Sequence, residues 1–555
     1  MQTNDQTIAQ SVELRPLAEI LRDKLRLSEE EFTTYGKYKA KIHSSSLSEK
    51  QANDQAKLVL VTGVSPTAAG EGKTTTSVGL TDALNLLGVN SVACLREPSL
   101  GPCFGMKGGA HGGGRAQVAP ATEINLHFNG DLHAITSANN LLSAILENHI
   151  YWGNDLDIDP SRLMFLRAMD MNDRSLRKFK VPSRRDLLLD AGFNITAASE
   201  VMAVFSLAED LEDLQRRLGN IVVARSKSGE FITARDLNVD GAMTVLLSEA
   251  LDPNVVQTLE HNPVIVHGGP FANIAHGCNS VIATRTGLAL ADVVITEAGF
   301  GADLGAEKFL NIKCRQTSLK PHAVVIVATI RSIKMHANIP LDELTKPNVE
   351  ALKTGLVNLE AHVQNLLKMG IVPIVAINRF ESDRDDELLF VTKKMRELGV
   401  ECNECTHWAD GGRGALELAE SVMACITKED CKNFAPLYPT NTPLKEKIAS
   451  VAKNIYHASG IEFTEAAETE LNDLQQRGFG ELPVCIAKTQ YSFTADPKRL
   501  GAPNDHILPI REVRLSAGAE FVVVVCGNMM TMPGLPRVPA ANQVGLDENG
   551  HIEGI

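Results

Sequence analysis

The stretch KLVLVTGVSPTAAGEGKTTTSVGLTDAL, residues 57–84, decides which fold the rest of the sequence predicts. It opens with a short β-branched and aliphatic run, continues through a segment rich in Gly, Ser and Thr, and ends with the apolar spacing of an amphipathic helix. The pattern predicts a strand, a loop and a helix in succession. Glycines let such a loop turn its N–H groups toward one anion, and the helix N-terminus adds partial positive charge. The sequence therefore predicts a phosphate-binding loop.

This loop follows the pattern G-x-x-x-x-G-K-T, except that Thr67 replaces the first glycine. Lys73 is expected to reach the terminal phosphates of ATP as a point charge, and the Thr74 hydroxyl is expected to bind the accompanying Mg²⁺. The predicted ATP-binding residues are Thr67, Ala68, Ala69, Gly70, Glu71, Gly72, Lys73 and Thr74. A Gly-rich turn can also be structural punctuation, but a lysine and a threonine in register after a strand favour the phosphate site.

Length and composition limit the class of protein. With 555 residues the chain is too long for one core and suggests about three or four domains. A net charge of −14 argues against a non-specific nucleic-acid binder or a binder of anionic membranes. The N-terminus has no apolar core, no apolar run is long enough to span a membrane, and the ten cysteines are scattered. These features predict a cytoplasmic protein with reduced thiols.

The fold class expected is α/β: a doubly wound, mainly parallel sheet of the phosphate-loop type with helices on both faces, plus additional α/β domains. Further apolar strands, each ending in a small, polar or Gly-rich loop, are predicted at 91–95, 263–267, 292–296, 323–329 and 371–377. The expected domains are 1–125 (N-terminal helices and the nucleotide-binding part), 126–260 (an inserted helical and mixed lobe), 261–360 (the continuation of the sheet) and 361–555 (a C-terminal α/β domain).

Arg96 directly follows the predicted strand at 91–95. Ligands of open parallel sheets lie beyond the carboxyl ends of the strands, so Arg96 is expected beside the phosphate loop, where its guanidinium can bind a carboxylate and a phosphate. A salt bridge to Glu97, or to a helix dipole, is the plainer alternative. The next residues, 101–114, contain seven glycines, which indicates close approach of a ligand or backbone more than a linker.

Acidic and metal-binding patterns are less specific. The candidate Mg²⁺ or base groups are Glu297, Asp303 and Glu307, although single acidic loop residues are more often helix caps. A transition-metal site is a minority interpretation both for Glu123, His127, Asp131 and His133 and for the C-x-x-C at 402–405. No H-E-x-x-H pattern and no second C-x-x-C accompany them.

Two aromatic residues stand out at loop positions. Phe380 follows a predicted strand end, and Trp408 borders a Gly-Gly loop. The two rings could sandwich a flat heterocycle, and the residues alone leave core packing equally open.

Nine motifs give the chain a resemblance, nearly end to end, to the formate–tetrahydrofolate ligase (formyltetrahydrofolate synthetase) family. They are YGKYKAKI at 35, PTAAGEGKTTTSVGL at 66, REPSLGPCFGMKGGAHGGGRAQVAP at 96, INLHFNGDLHAIT at 124, HGGPFANIAHGCNS at 267, TEAGFGADLGAEKF at 296, AINRF at 376, KTQYSF at 488 and TMPGLP at 531. The resemblance implies ATP-dependent ligation of formate to tetrahydrofolate, giving 10-formyltetrahydrofolate, ADP and phosphate through formyl phosphate, in one-carbon metabolism.

The resemblance also implies roles for particular residues. Lys73, Arg96 and Glu97 are the expected catalytic residues, with Arg96 holding formate and then formyl phosphate. Phe380 and Trp408 match the positions that stack the pterin, which makes the C-terminal domain part of the folate site. The expected cofactors are ATP with Mg²⁺ and a monovalent cation, K⁺ or NH₄⁺, as activator. The expected assembly is a homotetramer without nucleic-acid or membrane partners.

The chain departs from the family pattern at Ala68, where proline is usual, and over residues 177–193, where it is shorter. Two other classes of protein remain open on the residues alone. One is a phosphate-loop switch ATPase of the partitioning or metallocentre-assembly type, whose hydrolysis would respond to a protein partner. The other is a ligase resembling dethiobiotin synthetase that acts on a different acid.

Overall fold

The strand, loop and helix predicted around residues 57–84 are present: strand β1 spans Lys57–Gly63 and helix α1 spans Lys73–Leu86. They belong to a computed structural model that describes residues 5–47, 53, 55–105, 111–183, 187–548 and 550–554. The parallel strands that accompany β1 are β2 (Ser91–Leu95), β3 (Pro263–Val266), β4 (Val293–Glu297), β5 (Ala323–Ala328), β6 (Ile374–Asn378) and β7 (Cys402–Cys405).

The order of these strands in the sheet is β3-β2-β4-β1-β5-β6-β7. Every neighbouring pair within this set is parallel, so the predicted mainly parallel sheet is confirmed. Beyond β3 the sheet continues with antiparallel strands at Asn254–Thr258, Ala40–Ile42 and Phe32–Thr34, and with a branch formed by Ala116–Ala119 and Gly112–Gly113.

Alternate residues of β1 face two different cores. Leu58 and Leu60 pack into the cluster that contains the helices around 281–371, whereas Val59 and Val61 pack with α1 and the helix at 416–428. Because side chains alternate along a strand, a strand that is apolar throughout must be covered on both faces. The helices around this sheet are Val281–Leu290, Ile330–His336, Val349–Gly355, Val357–Lys368, Asp385–Glu397 and Leu416–Lys428.

The segment between β2 and β3 forms a lobe with its own apolar core. Its helices are Asp131–Trp152, Glu200–Leu207, Leu211–Gly219 and Asp240–Leu247. Its strands are Ile158–Leu163, Val222–Ser226 and Phe231–Thr233 in one sheet, Arg167–Met169 paired with Phe193–Ile195, and Phe179–Pro182 paired with Leu188–Ala191. The last pair lies within residues 177–193, of which 184–186 are outside the described part.

The C-terminal part contains a second mixed sheet. Its strands, in spatial order, are Gly460–Phe463, Ile507–Ser516, Phe521–Cys526 and Val484–Ala487, and its helices are Leu444–Asn454 and Glu465–Gln476. At the other end of the chain lie the helices Asp5–Gln10 and Leu17–Leu25. Among the described residues, no helix combines the length and apolarity needed to cross a bilayer.

The apolar spacing over 14–31 and over 348–368 is in each case that of one continuous helix, but the helices that form are shorter. The first begins after Pro16 and ends at Leu25, where Arg26 adopts a left-handed conformation with φ 56°. The second is divided at Leu356. Apolar periodicity continues through both breaks, so it could not locate them.

Candidate functional site

The loop between β1 and α1 is held in shape by its own side chains. Gly70 and Gly72 have φ angles of 74° and 78°, in the left-handed region that favours glycine. Glu71 Oε1 accepts hydrogen bonds from the Thr67 backbone N–H at 2.7 Å and from Thr67 Oγ1 at 3.0 Å. Thr67, which stands where the common pattern has glycine, therefore braces the loop.

Lys73 lies over the loop and the end of β1. A Cβ atom added to Gly63 would lie 3.1 Å from Cδ of Lys73, so the lysine stem occupies the space above this glycine. Lys73 Nζ is 3.6 Å from Glu71 Oε2. The ammonium group is thereby held inside the loop, where the terminal phosphates of a nucleotide are expected.

Glu297 and Arg96 come to the same edge from the two strands next to β1 on one side. Glu297 is the last residue of β4 and pairs in register with Val61, and its Oε2 accepts a 2.9 Å hydrogen bond from Thr74 Oγ1. Arg96 Nε is 4.0 Å from Glu297 Oε1, and Arg96 Nη1 donates to the Pro270 carbonyl at 3.3 Å. A hydroxyl, a carboxylate and a guanidinium thus converge at the phosphate loop.

The oxygen atoms of Thr74 and Glu297 suit Mg²⁺, which takes one or two protein oxygens and completes its shell with phosphates and water. No group of three or more His, Cys, Asp or Glu side chains in the described ranges is arranged to hold a metal. Glu123 instead pairs with Lys39 at 2.7 Å, and Asp131 pairs with Lys41 at 2.9 Å.

The C-x-x-C pair is also unsuited to metal or redox chemistry. Cys402 and Cys405 are buried, and burial raises the pKa of the Cys402 thiol to about 12 and the pKa of the Cys405 thiol further still. Metal binding and disulfide exchange need the thiolate, which these environments disfavour.

Glu97 faces away from Arg96, into the protein. Its side chain meets the buried Asp131, which also pairs with Lys41. Burial, and then the neighbouring charge of Asp131, raise the pKa of Glu97 well above its usual value. The Arg96–Glu97 salt bridge considered from the sequence is therefore not formed.

Phe380 and Trp408 follow β6 and β7, whose ends are paired at Asn378 and Cys405. Trp408 is 46% exposed, and its carbonyl accepts from the Arg115 N–H at 2.8 Å. A Cβ atom on Gly114 would lie 1.9 Å from that carbonyl oxygen, so only glycine fits there. The Arg331 guanidinium lies 4.0 Å from the centre of the Phe380 ring. Residues 106–110 of the predicted Gly-rich run lie outside the described part.

Two contacts near these rings were not predicted from the sequence. Asn378 Nδ2 donates to the Glu71 carbonyl at 2.8 Å, which ties the phosphate loop to the strand that leads to Phe380. Asp5 Oδ1 accepts from the Gly114 N–H at 2.8 Å, beside Trp408. Asn378 lies within the AINRF motif, which was a usable signal, whereas Asp5 had no local signal.

A cavity of about 820 Å³ opens between the lobe and the C-terminal sheet. It is lined by residues of the segments 489–511 and 527–534, together with Arg177 and Asn273. Asn273 lies in the loop that follows β3, and the same loop provides the Pro270 carbonyl to Arg96. The cavity therefore adjoins the carboxyl edge of the sheet on the side where Arg96 lies.

These features define an α/β protein whose candidate ligand-binding residues lie at the carboxyl edge of a large, mainly parallel sheet. The sequence model of the family described as Formate--tetrahydrofolate ligase matches residues 3–555. Formate--tetrahydrofolate ligases from Granulibacter bethesdensis and Pelagibacter ubique are each 55% identical to the chain, covering 100% of it and 97% and 99% of those proteins. The one from Methylorubrum extorquens strain PA1 is 54% identical, with 100% of both chains covered. The chain belongs to the formate–tetrahydrofolate ligase family and is an enzyme of the ligase class.

Proposed function

We propose that this chain ligates formate to tetrahydrofolate at the expense of ATP, giving 10-formyltetrahydrofolate, ADP and phosphate through formyl phosphate. The observation that carries the proposal is the convergence of the phosphate loop, Glu297 and Arg96 at one edge of the sheet. It rests also on membership of a family whose named members are formate–tetrahydrofolate ligases.

In the first step a formate oxygen attacks the γ-phosphorus, the bond to the β-phosphate oxygen breaks, and ADP leaves. Lys73 and the N–H groups of the loop at 67–74 hold the phosphates and offset the developing charge. Arg96 orients formate, because a guanidinium fork can bind a carboxylate and a phosphate at once. Mg²⁺ bound through the nucleotide at Thr74 and Glu297 would neutralise phosphate charge.

In the second step N10 of tetrahydrofolate attacks the formyl carbon of formyl phosphate. The N10 proton is lost, phosphate leaves, and the C–N bond of the product forms. Phe380 and Trp408 are proposed to stack the pterin, since both follow the paired ends of neighbouring strands and Trp408 is 46% exposed.

The activating cation is proposed to be monovalent, K⁺ or NH₄⁺. This part of the proposal is supported by the family resemblance alone. Glu97 is proposed to act by hydrogen bonding to Asp131, which pairs with Lys41, and so by fixing the backbone next to Arg96.

The expected location and assembly are also proposals. All ten cysteines are buried and none forms a disulfide, which supports a reducing, cytoplasmic environment. A homotetramer is proposed on the family resemblance and is tested by light scattering of the purified protein.

The experiment that tests the function is ADP release from purified protein with MgATP and K⁺, with formate and tetrahydrofolate each added and omitted in turn. Turnover that needs both, with one 10-formyltetrahydrofolate formed per ADP, is the expected result. Turnover indifferent to formate would instead indicate a switch ATPase. Turnover supported by bulkier acids but not by formate would indicate a ligase for another substrate.

A further inference from the structure

Ser65 lies at the entrance of the phosphate loop, just after the end of β1 at Gly63, and it is fully buried. Each of its polar groups is bonded by a side chain from elsewhere in the chain. The backbone N–H donates to Asn358 Oδ1 at 3.2 Å, and the carbonyl accepts from His336 Nε2 at 2.9 Å. The hydroxyl oxygen accepts from Asn358 Nδ2 at 3.1 Å and lies 3.1 Å from His362 Nε2. Three buried side chains that are remote in sequence therefore fix the position of Ser65.

His336 and Asn358 also bond a second partner, Gly501, which lies in the C-terminal part of the chain. Asn358 Nδ2 donates to the Gly501 carbonyl at 2.7 Å, and the Gly501 N–H donates to His336 Nδ1 at 3.4 Å. Burial lowers the pKa of His336 to about 4, so near neutral pH the ring is uncharged and has one N–H. That N–H is at Nε2, because the Ser65 carbonyl can only accept, and Nδ1 is left to accept from Gly501. Both side chains thus bridge Ser65 and Gly501.

A buried ion pair joins the same two regions. Asp303 Oδ2 lies 3.2 Å from Lys488 Nζ, and both side chains are buried. Lys488 follows the C-terminal strand at Val484–Ala487. A Cβ atom on Gly301 would lie 2.6 Å from Asp303 Oδ1 and 3.2 Å from Ser65 Cα, so the carboxylate is close to the entrance of the loop. The C-terminal part therefore contacts the surroundings of Ser65 through this pair as well as through Gly501.

The phosphate loop depends on such contacts for its shape. It is proposed to bind an anion by aiming several backbone N–H groups at it, and its glycines leave other conformations accessible. Binding geometry of this kind has to be held by surrounding residues. Asn378 holds the far side of the loop at the Glu71 carbonyl, and the entrance is held at Ser65. The bridges to Gly501 are thus in a position to control the conformation of the loop.

We propose that Gly501, through His336 and Asn358, positions the phosphate loop for ATP, so that the C-terminal part of the chain helps to set the affinity for ATP. None of these positioning residues needs to touch the nucleotide. The inference rests on the proposed function, because it takes ATP to bind at this loop.

The first variant acts from the C-terminal end of the bridges. Gly501 has a φ angle of 75°, so Gly501→Ala strains its backbone, while the added Cβ would have its nearest described contacts at 3.6 Å. We expect the KM for ATP and the dissociation constant for ADP to rise about fivefold, as for the loss of one hydrogen bond. The KM for formate and the KM for tetrahydrofolate should stay constant. Gly478→Ala is the matched control, because Gly478 also lies in the C-terminal part, has a φ angle of 92° and offers a Cβ no described atom within 4 Å.

The second variant acts in the middle of one bridge. His336→Phe keeps an aromatic ring but removes both ring nitrogens, which leaves the Ser65 carbonyl and the Gly501 N–H without these partners. The same rise in the KM for ATP is expected. His322→Phe is the control, since His322 Nδ1 accepts from the Leu58 N–H at 3.1 Å, at the end of β1 away from the loop. It should lower the melting temperature without raising the KM for ATP.

The double variant Gly501→Ala, His336→Phe tests whether the two residues act through one connection. Because they are in contact, the rise in the KM for ATP is expected to be smaller than the product of the two single rises. Circular dichroism and the melting temperature establish which variants are folded, and if His336→Phe does not fold, Gly501→Ala and its control decide the inference.

An unchanged KM for ATP in folded variants, an equal rise in the two controls, or single rises that multiply in the double variant would each overturn the inference. If the unaltered enzyme binds no ADP in a calorimetric titration, the proposed nucleotide site itself fails. That result differs from an enzyme that binds ADP equally well with and without the bridges.

Discussion

The Thr74 hydroxyl donates a 2.9 Å hydrogen bond to the Glu297 carboxylate, which joins the first turn of α1 to the last residue of β4. The two residues are 223 positions apart in the chain and meet because β1 and β4 are parallel neighbours in register. The bond places a hydroxyl oxygen and a carboxylate at the mouth of the phosphate loop, with Arg96 on the other side of that carboxylate. The residues proposed to bind the nucleotide and formate thereby lie together.

Glu297→Gln should weaken the binding of the Mg²⁺ that accompanies ATP. The amide can still accept from Thr74, but it has no charge to offer a divalent cation. We expect turnover at fixed Mg²⁺ to fall about 100-fold and the Mg²⁺ concentration for half-maximal activity to rise. A Mg²⁺ titration of steady-state ADP release measures both. Glu343→Gln, an exposed carboxylate on a short helix at 341–343, is the control. An unchanged Mg²⁺ titration in the Glu297 variant would show that Glu297 does not bind the metal.

Arg96→Ala should abolish formate-dependent turnover, by at least about 100-fold, while nucleotide binding stays largely intact. The guanidinium lies beside Glu297 and the Pro270 carbonyl, not within the loop proposed to hold the phosphates. Arg96→Lys keeps the charge without the planar fork and should recover only part of the activity. Calorimetric titration with ADP measures nucleotide binding separately. Loss of ADP binding in a folded Arg96→Ala protein would contradict the role given to Arg96.

The central sheet could be predicted from the sequence because its strands are continuous apolar runs. β1 and β5 are buried on both faces, so their composition and the small loops that follow them identify parallel strands directly. The strand, loop and helix at 57–84 could also be predicted, since Gly72, Lys73 and Thr74 keep a fixed local spacing. Phosphate binding by this loop stays a prediction. Apolar runs and loop spacings are local, so they can be read from the sequence without knowledge of the tertiary contacts.

Contacts that sheet order creates could not be predicted. Asn378 reaches the Glu71 carbonyl over 307 positions because β6 lies two strands from β1. The AINRF motif marks Asn378 as a residue of interest, but it does not indicate this partner. Glu97 shows that neighbours in the sequence need not be in contact. It lies beside Arg96 in sequence, yet consecutive residues point to opposite sides of an extended chain, and its carboxyl faces Asp131 in the interior.

Trp408→Ala should raise the KM for tetrahydrofolate by about tenfold, because a stacked heterocycle loses about 1 to 3 kcal/mol when the aromatic partner is removed. Trp152→Ala is the matched control, since Trp152 is the other tryptophan and is 74% exposed on the lobe. Steady-state kinetics at saturating ATP and formate measure the change. A constant KM for tetrahydrofolate would show that Trp408 only packs against the protein. A raised KM for ATP would instead indicate that the ring stacks on adenine.

Asp5→Ala should also raise the KM for tetrahydrofolate, although Asp5 is proposed to act only through Gly114 and Trp408. Asp5 Oδ1 holds the Gly114 N–H, and Gly114 lies against the Trp408 carbonyl, so loss of this bond loosens the loop that fixes the indole. One hydrogen bond is worth about 1 kcal/mol, which predicts a KM for tetrahydrofolate raised about fivefold with kcat retained. Asp5→Asn keeps an acceptor oxygen and should restore most of the affinity. Equal behaviour of the Ala and Asn variants would show that this hydrogen bond does not position Trp408.

Asp82 on α1 should make the stability of the enzyme depend on pH. The carboxyl is buried, Oδ1 accepts from Thr258 and Asn262 at 2.6 Å each, and Oδ2 has no partner in the described structure. Burial, and then the charge of Glu260, raise the pKa of Asp82 to about 7. The folded protein therefore binds this proton more tightly than the unfolded chain, whose aspartate titrates near 3.8.

The contribution of Asp82 is fully present below pH 3.8 and is lost as the pH rises through about 7. Asp82→Asn keeps an acceptor for Thr258 and Asn262 but cannot ionise. We expect the free energy of unfolding of the unaltered enzyme to fall relative to the variant between about pH 5 and 8, with about 1.4 kcal/mol for each unit by which the pKa is raised. Urea unfolding across that range, with the exposed Asp342→Asn as control, measures the difference. Two parallel pH profiles would mean that Asp82 is already ionised in the folded enzyme at pH 5, and that Lys24 and the two hydrogen bonds outweigh its burial.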